Sequence, residues 1–369
     1  MLAVTRLSVT LAMLGAAISP HAAAEPSQSS YLHDVQIDMS TLTRFADESD
    51  NFALTWHTDG GLYGAYGDGW GFTGSEVSKR AIGVSRITGT PPNLLGTDVW
   101  EGDAFGQKCC WLPWNGKSWG MISTGADGLH MWFTIGRPRL LGFTEARLAS
   151  STDNGRSWTK ADWAFTPADK ILMPSFLQIG QGHTSNMLPS RIERYIYGYS
   201  VRLVTQPAHV QSPGQIDLMR VARKTPARRG SYEFFAGTDT VGGPIWTKDL
   251  NQRVSVLQKT HVLDAPPTVA WNPHLQRYIM VMGHVAEQDT TKRGVGFYEA
   301  TQPWGPWYKI KELEDFAEGT IFFYQFPTKW MNADLSAWMA FTGPDKADGQ
   351  EWDALNVVKA QFVLAPDPS

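Results

Sequence analysis

Residues 50–72 read DNFALTWHTDGGLYGAYGDGWGF. Two β-forming runs, 52–57 and 62–67, flank the turn signal Asp59-Gly60-Gly61, and no 3.6-residue period runs through either, so the stretch reads as a β-hairpin. With Asp59-Gly60-Gly61 as the loop, Thr58 pairs with Leu62 and Phe52 faces Asp68. Asp50 then lies one diagonal step away on the same face, ~7–8 Å off. A two-residue loop would shift the parity and send the two acids to opposite faces.

The same pattern continues outward on both sides. Short β-rich runs bounded by Gly, Pro, Asp and Asn recur at 80–87, 120–124, 130–135, 146–151, 158–165, 176–179, 194–201, 216–222 and 232–236. They go on at 268–272, 278–283, 294–300, 307–310, 322–326, 336–341 and 355–364. Roughly eighteen to twenty strands make about five four-stranded sheets, within the range of bladed propellers. The spacing predicts an all-β chain forming a single β-propeller of five blades over 50–90, 115–165, 175–248, 262–314 and 320–365. The segment 32–37 is free to pair with the last blade and close the ring. A large sandwich or jelly roll is the competing all-β arrangement. Pro91-Pro92 and Pro266-Pro267 are too short to act as spacers, so residues 25–369 read as one domain.

The first 24 residues stand apart. Arg6 precedes the apolar run LSVTLAMLGAAI at 7–18, and Ala22-Ala23-Ala24 supplies small residues before Glu25. That is a secretory signal peptide rather than a membrane span, and it predicts a secreted or periplasmic protein. The 369 residues carry 32 Lys and Arg against 36 Asp and Glu, so no basic stripe invites nucleic acid. No later run reaches ~18 apolar residues without a charge, which predicts no membrane span in the mature chain. The only two cysteines, Cys109-Cys110, are adjacent. They allow a strained vicinal disulfide or two buried thiols, and no disulfide framework. The 16 tryptophans suit sugar stacking as well as an aromatic core.

A second turn carries its own signature. Ser151-Thr152-Asp153-Asn154-Gly155-Arg156-Ser157-Trp158 has the S-x-D-x-G-x-x-W form of an Asp box and resembles the hairpin turn of sialidase-like propellers. The Asp carboxylate accepts backbone N–H groups across the turn, Gly takes the positive φ, and Trp packs beneath. Asp153 therefore reads as structural, as does Asp59 in its own turn. One clean copy is present, so the repeat itself is not legible.

No G-x-S-x-G, H-E-x-x-H, paired C-x-x-C or P-loop is present, so serine-hydrolase, zincin, structural-zinc and P-loop chemistry lose their sequence support, and no cofactor or metal is called for. The chemistry concentrates at Asp50 and Asp68. Two carboxyls ~6.5–9.5 Å apart can hold a water between them, the arrangement of inverting glycosidases. Gly67, Gly69 and Gly71 let backbone or ligand come close to Asp68. Asp68 reads equally as a plain turn aspartate. Trp56 and Trp70 are candidate sugar platforms, and Gln181 and Lys329 candidate hydrogen-bond donors; each also reads as ordinary packing or surface.

Residues 50–72, with the spacing from Asp50 through Trp56 to Gly67-Asp68-Gly69, and an ordered set of later segments resemble a family of secreted bacterial propeller proteins that includes endo-D-arabinanases. The segments are Gly102-Asp103-Ala104, the turn at 151–158, FLQIGQG at 176–182, YEFFAG at 232–237, Trp271-Asn272, Arg277-Tyr278, PWGPW at 303–307 and PTKW at 327–330. Together they cover about residues 50–345. The resemblance implies a five-bladed propeller, glycoside hydrolysis of arabinan-type polysaccharide, and Asp50 with Asp68 as the carboxylate pair. This chain departs from the family at Ser49-Asp50-Asn51-Phe52, where a Gly-Asp-Thr-Trp-like sequence is more usual, and at His57, where a small residue is usual.

The expected activity is therefore a secreted glycoside hydrolase, endo-D-arabinanase-like, acting as a monomer on polysaccharide or oligosaccharide. Asp68 is expected as acid and Asp50 as base. A polysaccharide lyase using His57, His130, His183 or His284 is the nearest alternative, and a non-catalytic carbohydrate-binding propeller the next. The Asp box alone suggests a sialidase, without a readable arginine triad.

Overall fold

The computed structural model describes residues 25–75, 78–103, 114, 116–135, 145–205, 210–263, 265–286, 292–316, 323–345 and 350–366. The signal-peptide reading of residues 1–24 and the Cys109-Cys110 pair lie outside them.

The strands assemble in sequence order. β1 (Leu32–Phe45) is followed by the sheet β2 (Asp50–Trp56), β3 (Leu62–Gly69), β4 (Arg80–Thr90) and β5 (Asn93–Trp100), and then by β6 (Gly116–Ser123), β7 (Leu129–Ile135), β8 (Ala146–Ser151) and β9 (Thr159–Phe165). The third unit is β10 (Ile171–Gln178), β11 (Tyr195–Arg202), β12 (Val210–Gln211), β13 (Gly214–Ala222), β14 (Glu233–Thr238), β15 (Pro244–Thr247), β16 (Ser255–Lys259) and β17 (Val262–Leu263). Within it β12 pairs only with β17, and β16 adds to β13. The fourth is β18 (Thr268–Asn272), β19 (Arg277–Val285), β20 (Arg293–Ala300) and β21 (Tyr308–Leu313). The last is β22 (Phe323–Gln325), β23 (Ser336–Asp345) and β24 (Gln350–Leu364), with β1 antiparallel to β24 as its outer strand.

The first strands of these units close a ring. β2 lies against β6, β6 against β10, β10 against β18, β18 against β22, and β22 against β2. Only β10 and β18 meet by ladder bonds, a parallel pairing at Leu177–Val269 and Gln178–Ala270. Elsewhere side chains link the innermost strands. Gln178 Nε2 donates to Met121 O (2.8 Å) and its Oε1 accepts from Thr55 Oγ1 (2.9 Å), while Gln325 accepts from Leu54 N (2.9 Å) and donates to Leu54 O (2.7 Å). The axial cavity that remains is about 10 Å³, barely room for one water. The fold is a β-propeller.

Stacking on both faces explains why the strands read as apolar runs rather than as alternating ones. Successive residues of a strand point to opposite faces. On β7, Leu129, Met131 and Phe133 pack towards the first sheet with Ala53, Ala65 and Val84, whereas Trp132 packs towards the third with Phe176 and Tyr197. Phe52 and Leu54 of β2 meet Trp330, Ala340, Leu355 and Val357 of the last unit, which seals the ring apolarly. β1 runs further than the expected 32–37, because its register with β24 resumes at Thr43 after an irregularity beyond Asp38.

The 151–158 turn forms as its residues require. Asp153 Oδ1 accepts from Ser157 N (2.9 Å), Asn154 and Gly155 take φ of 58° and 78°, and Trp158 Nε1 donates to Gly155 O (3.0 Å). The Ser157 hydroxyl, which donates to Asp153 Oδ2 (2.6 Å), and then Ser157 N–H hold the Asp153 carboxyl down at about 2, as the structural reading requires.

Candidate active site

The hairpin of residues 50–72 forms with a different register from the expected one. Trp56 pairs with Leu62 and Ala53 with Ala65, so the loop is the five residues 57–61 rather than Asp59-Gly60-Gly61. His57 N donates to Gly61 O (2.9 Å), and Asp59 accepts from Gly61 N (2.9 Å) and Arg86 Nε (2.7 Å). Continued regularly, this register would set Asp50 opposite Asp68. A bulge between Asp50 and Ala53 intervenes, and Asp50 faces Gly67 instead. Asn51 and Asp68 take left-handed φ of 58° and 42°. Such backbone is costly for a non-glycine residue, and together with the bulge it re-aims the acids.

Both carboxylates now meet one cation. Lys117, at the start of β6, donates from Nζ to Asp50 Oδ2 and, at 2.6 Å, to Asp68 Oδ2. The two oxygens are thus no more than roughly 5.5 Å apart, twice an N⁺–H···O⁻ distance. The diagonal spacing expected from the other register does not apply, because the bulge sets Asp50 opposite Gly67. Asp50 is buried at 4 % exposure, whereas the Asp68 side chain keeps 35 % and faces outward. Burial, with Asp50 alongside, raises the Asp68 pKa against the opposing pull of Lys117. The lysine stays charged: burial favours its neutral form, but Asp50 and Asp68 outweigh that and raise its pKa.

The glycines fit this crowding. A Cβ on Gly67 would stand 2.6 Å from Asp50 Oδ1, and one on Gly69 would strike Ser49 Oγ at 2.1 Å. Ser49 Oγ also accepts from Gly71 N (2.9 Å). Trp70 lies at this end, half-buried, with Lys79 Nζ 5.2 Å from its ring centroid; Lys79 in turn pairs with Glu48 (2.7 Å).

A third carboxylate joins from the opposite end of the chain. Asp353 on β24 accepts Glu48 N through its backbone oxygen. Its own carboxyl is pushed up to about 6 by burial first, then by the charge of Asp50, with Lys117 opposing. Neither Lys117 nor Asp353 is suggested by the hairpin, since each comes from another sheet.

The other expected contacts lie elsewhere. Trp56 is six residues along β2 from Asp50, roughly 20 Å at a strand's rise. Gln181 Nε2 donates to His57 O (3.1 Å) and Thr58 O (3.2 Å), and Lys329 Nζ to Gly60 O (2.6 Å). These two peg the 57–61 loop at the far end of the hairpin and do not approach the acids. The histidines are also engaged away from them. His57 bonds Ser123 Oγ (2.7 Å), His130 bonds Ser150 Oγ (2.8 Å), and His183 bonds Tyr195 O (2.8 Å). Burial lowers His183 and His284 to about 4, so neither carries the charge a uronate would need.

No protein-family model matches the sequence, and no curated protein matches it. Among solved structures, the chain is similar to the GH43_1 enzyme from Xanthomonas citri, with a TM-score of 0.50 at 13 % identity over 87 % of this chain and 89 % of that one. It is also similar to an endo-arabinase from Bacteroides thetaiotaomicron, with a TM-score of 0.44 at 12 % identity over 94 % and 99 %. An α-L-arabinofuranosidase from Podospora anserina gives a TM-score of 0.43 at 10 % identity over 91 % and 98 %. The likeness is one of fold. Among the described residues no helix is long and apolar enough to cross a membrane.

Proposed function

We propose that the protein is an exported glycoside hydrolase of five blades, acting on arabinan-type polysaccharide through Asp68 and Asp50. The observation that carries this reading is the convergence of the two carboxylates on Lys117 at one end of the ring. Asp68, partly exposed and with its pKa raised first by burial, is the group suited to hold a proton and give it to a leaving oxygen. Asp50, buried against the ammonium, is the partner placed to activate water. Hydrolysis with inversion needs a gap of ~6.5–9.5 Å between the carboxyls. Inversion would therefore require Lys117 or Asp68 to shift as substrate enters. Trp70 offers a ring for a sugar beside the acids. The resemblance of the ordered segments supplies the substrate class, and the fold of the GH43_1 enzyme is compatible with it.

The test is product analysis after incubation with a panel of arabinans, scored by reducing ends and by the anomer first released in proton NMR. Cleavage is expected, with the rate falling as pH rises through the raised pKa of Asp68. Asp68→Asn should reduce the rate by at least about a hundredfold. An unchanged rate in that variant removes Asp68 from the mechanism. Products absorbing in the ultraviolet would mark elimination and refute hydrolysis.

A further inference from the structure

We propose that His284, Glu312 and Glu314 form a binding site for a divalent first-row transition-metal ion, separate from the Asp50–Asp68 pair. His284 is on β19, Glu312 is on β21, and Glu314 follows the end of β21. One ligand atom from each lies within 4.8 Å of the others. His284 is 1 % exposed, and neither of its ring nitrogens has a hydrogen-bond partner among the described residues. Buried polar atoms are almost always satisfied, so an imidazole with both nitrogens idle and two carboxylates beside it points to a missing ligand.

The surroundings leave room for one. His284 pairs across the ladder with Gly294, and a Cβ there would stand 2.6 Å from His284 Nε2 and 2.4 Å from Leu313 O. Only glycine lets the ring lie where it does. Glu312 Oε1 is already taken, by Tyr298 OH (2.6 Å) and Lys259 Nζ (2.9 Å). Its Oε2 has only Lys309 Nζ, at 3.9 Å, beyond hydrogen-bond reach. That oxygen, a nitrogen of His284 and the exposed Glu314 carboxylate make a mixed nitrogen and oxygen donor set. Zinc and its neighbours take such sets, whereas calcium and magnesium prefer oxygen alone. Bound there, the ion would tie β19 to β21 across the intervening β20. Lys259 and Lys309 oppose it electrostatically, so occupancy depends on all three ligands acting together.

Zinc(II) is the probe. The purified chain, stripped with chelator, is dialysed against zinc, and bound metal is counted by elemental analysis beside a thermal-unfolding scan. One zinc per chain with a raised Tm is expected. Glu314→Gln, an exposed change that leaves the fold intact, should weaken zinc binding by at least about tenfold, and His284→Gln should do the same. Absence of uptake by the native chain overturns the site, as does undiminished uptake by Glu314→Gln, whose folding is checked by circular dichroism. Neither outcome bears on the glycosidase reading.

Discussion

The charge cluster at the open end of the 50–72 hairpin turns on Lys117. Its ammonium is buried between Asp50 and Asp68, and removing one partner of a buried charge group leaves the others uncompensated. Lys117→Met should therefore destabilise the chain by about 3 kcal/mol or more, read as a lower midpoint in urea. Adding Asp50→Asn and Asp68→Asn to Lys117→Met should recover part of that loss. Equal midpoints for the single and triple variants would show that charge pairing is not what holds the cluster. Asp353 gives a pH signature of the opposite kind. Its pKa rises from 3.8 to about 6 on folding, so between those values the folded chain holds a proton that the unfolded chain has released. Stability then falls as pH rises through that window. Asp353→Asn, which has no proton to lose, should gain on the order of 1–2 kcal/mol over the native chain between pH 4 and 7. Parallel urea titrations at the two pH values read this directly. Asp50 and Asp68 were legible in the sequence because one hairpin carries both. Lys117 and Asp353 were not, because nothing local to either residue records which strand will lie beside it.

At the scale of the element, turns were easier to read than registers. Asp59-Gly60-Gly61 announces a reversal, but the strands end at Trp56 and Leu62, since His57 and Thr58 are spent on a wider loop. The bulge beside Asn51 has no signature beyond an Asn that tolerates positive φ. Gln181 and Lys329 illustrate the same limit: both are polar residues on short turns, and only the assembled ring shows that they brace the 57–61 loop rather than flank the acids. The 151–158 turn is the converse case, with every bond prescribed by its sequence. Asp153→Ala removes acceptors from Ser157 N and Ser157 Oγ and should cost about 1–2 kcal/mol. The thermal midpoint should drop while turnover per folded molecule stays the same. A fall in that turnover would contradict a purely structural turn.

Over the whole molecule, the order of the β-runs was legible because the units meet in sequence order, but the described residues form 24 strands rather than eighteen to twenty, the short added ones at 210–211, 244–247, 255–259 and 262–263 among them. What could not be read is how the units press on one another, since apolar residues on both faces of a strand look alike until neighbours are known. The ring is joined by its two ends: β1 is held by β24, from Leu32–Leu364 to Phe45–Leu355. β1 is also held by the fourth unit, where Lys311 reaches Asp34 (2.7 Å) and Val35 O (3.1 Å), and residues 46–49 then carry the chain into the first sheet. Parting the first unit from the last therefore means stripping the β1–β24 ladder, and not only separating side chains.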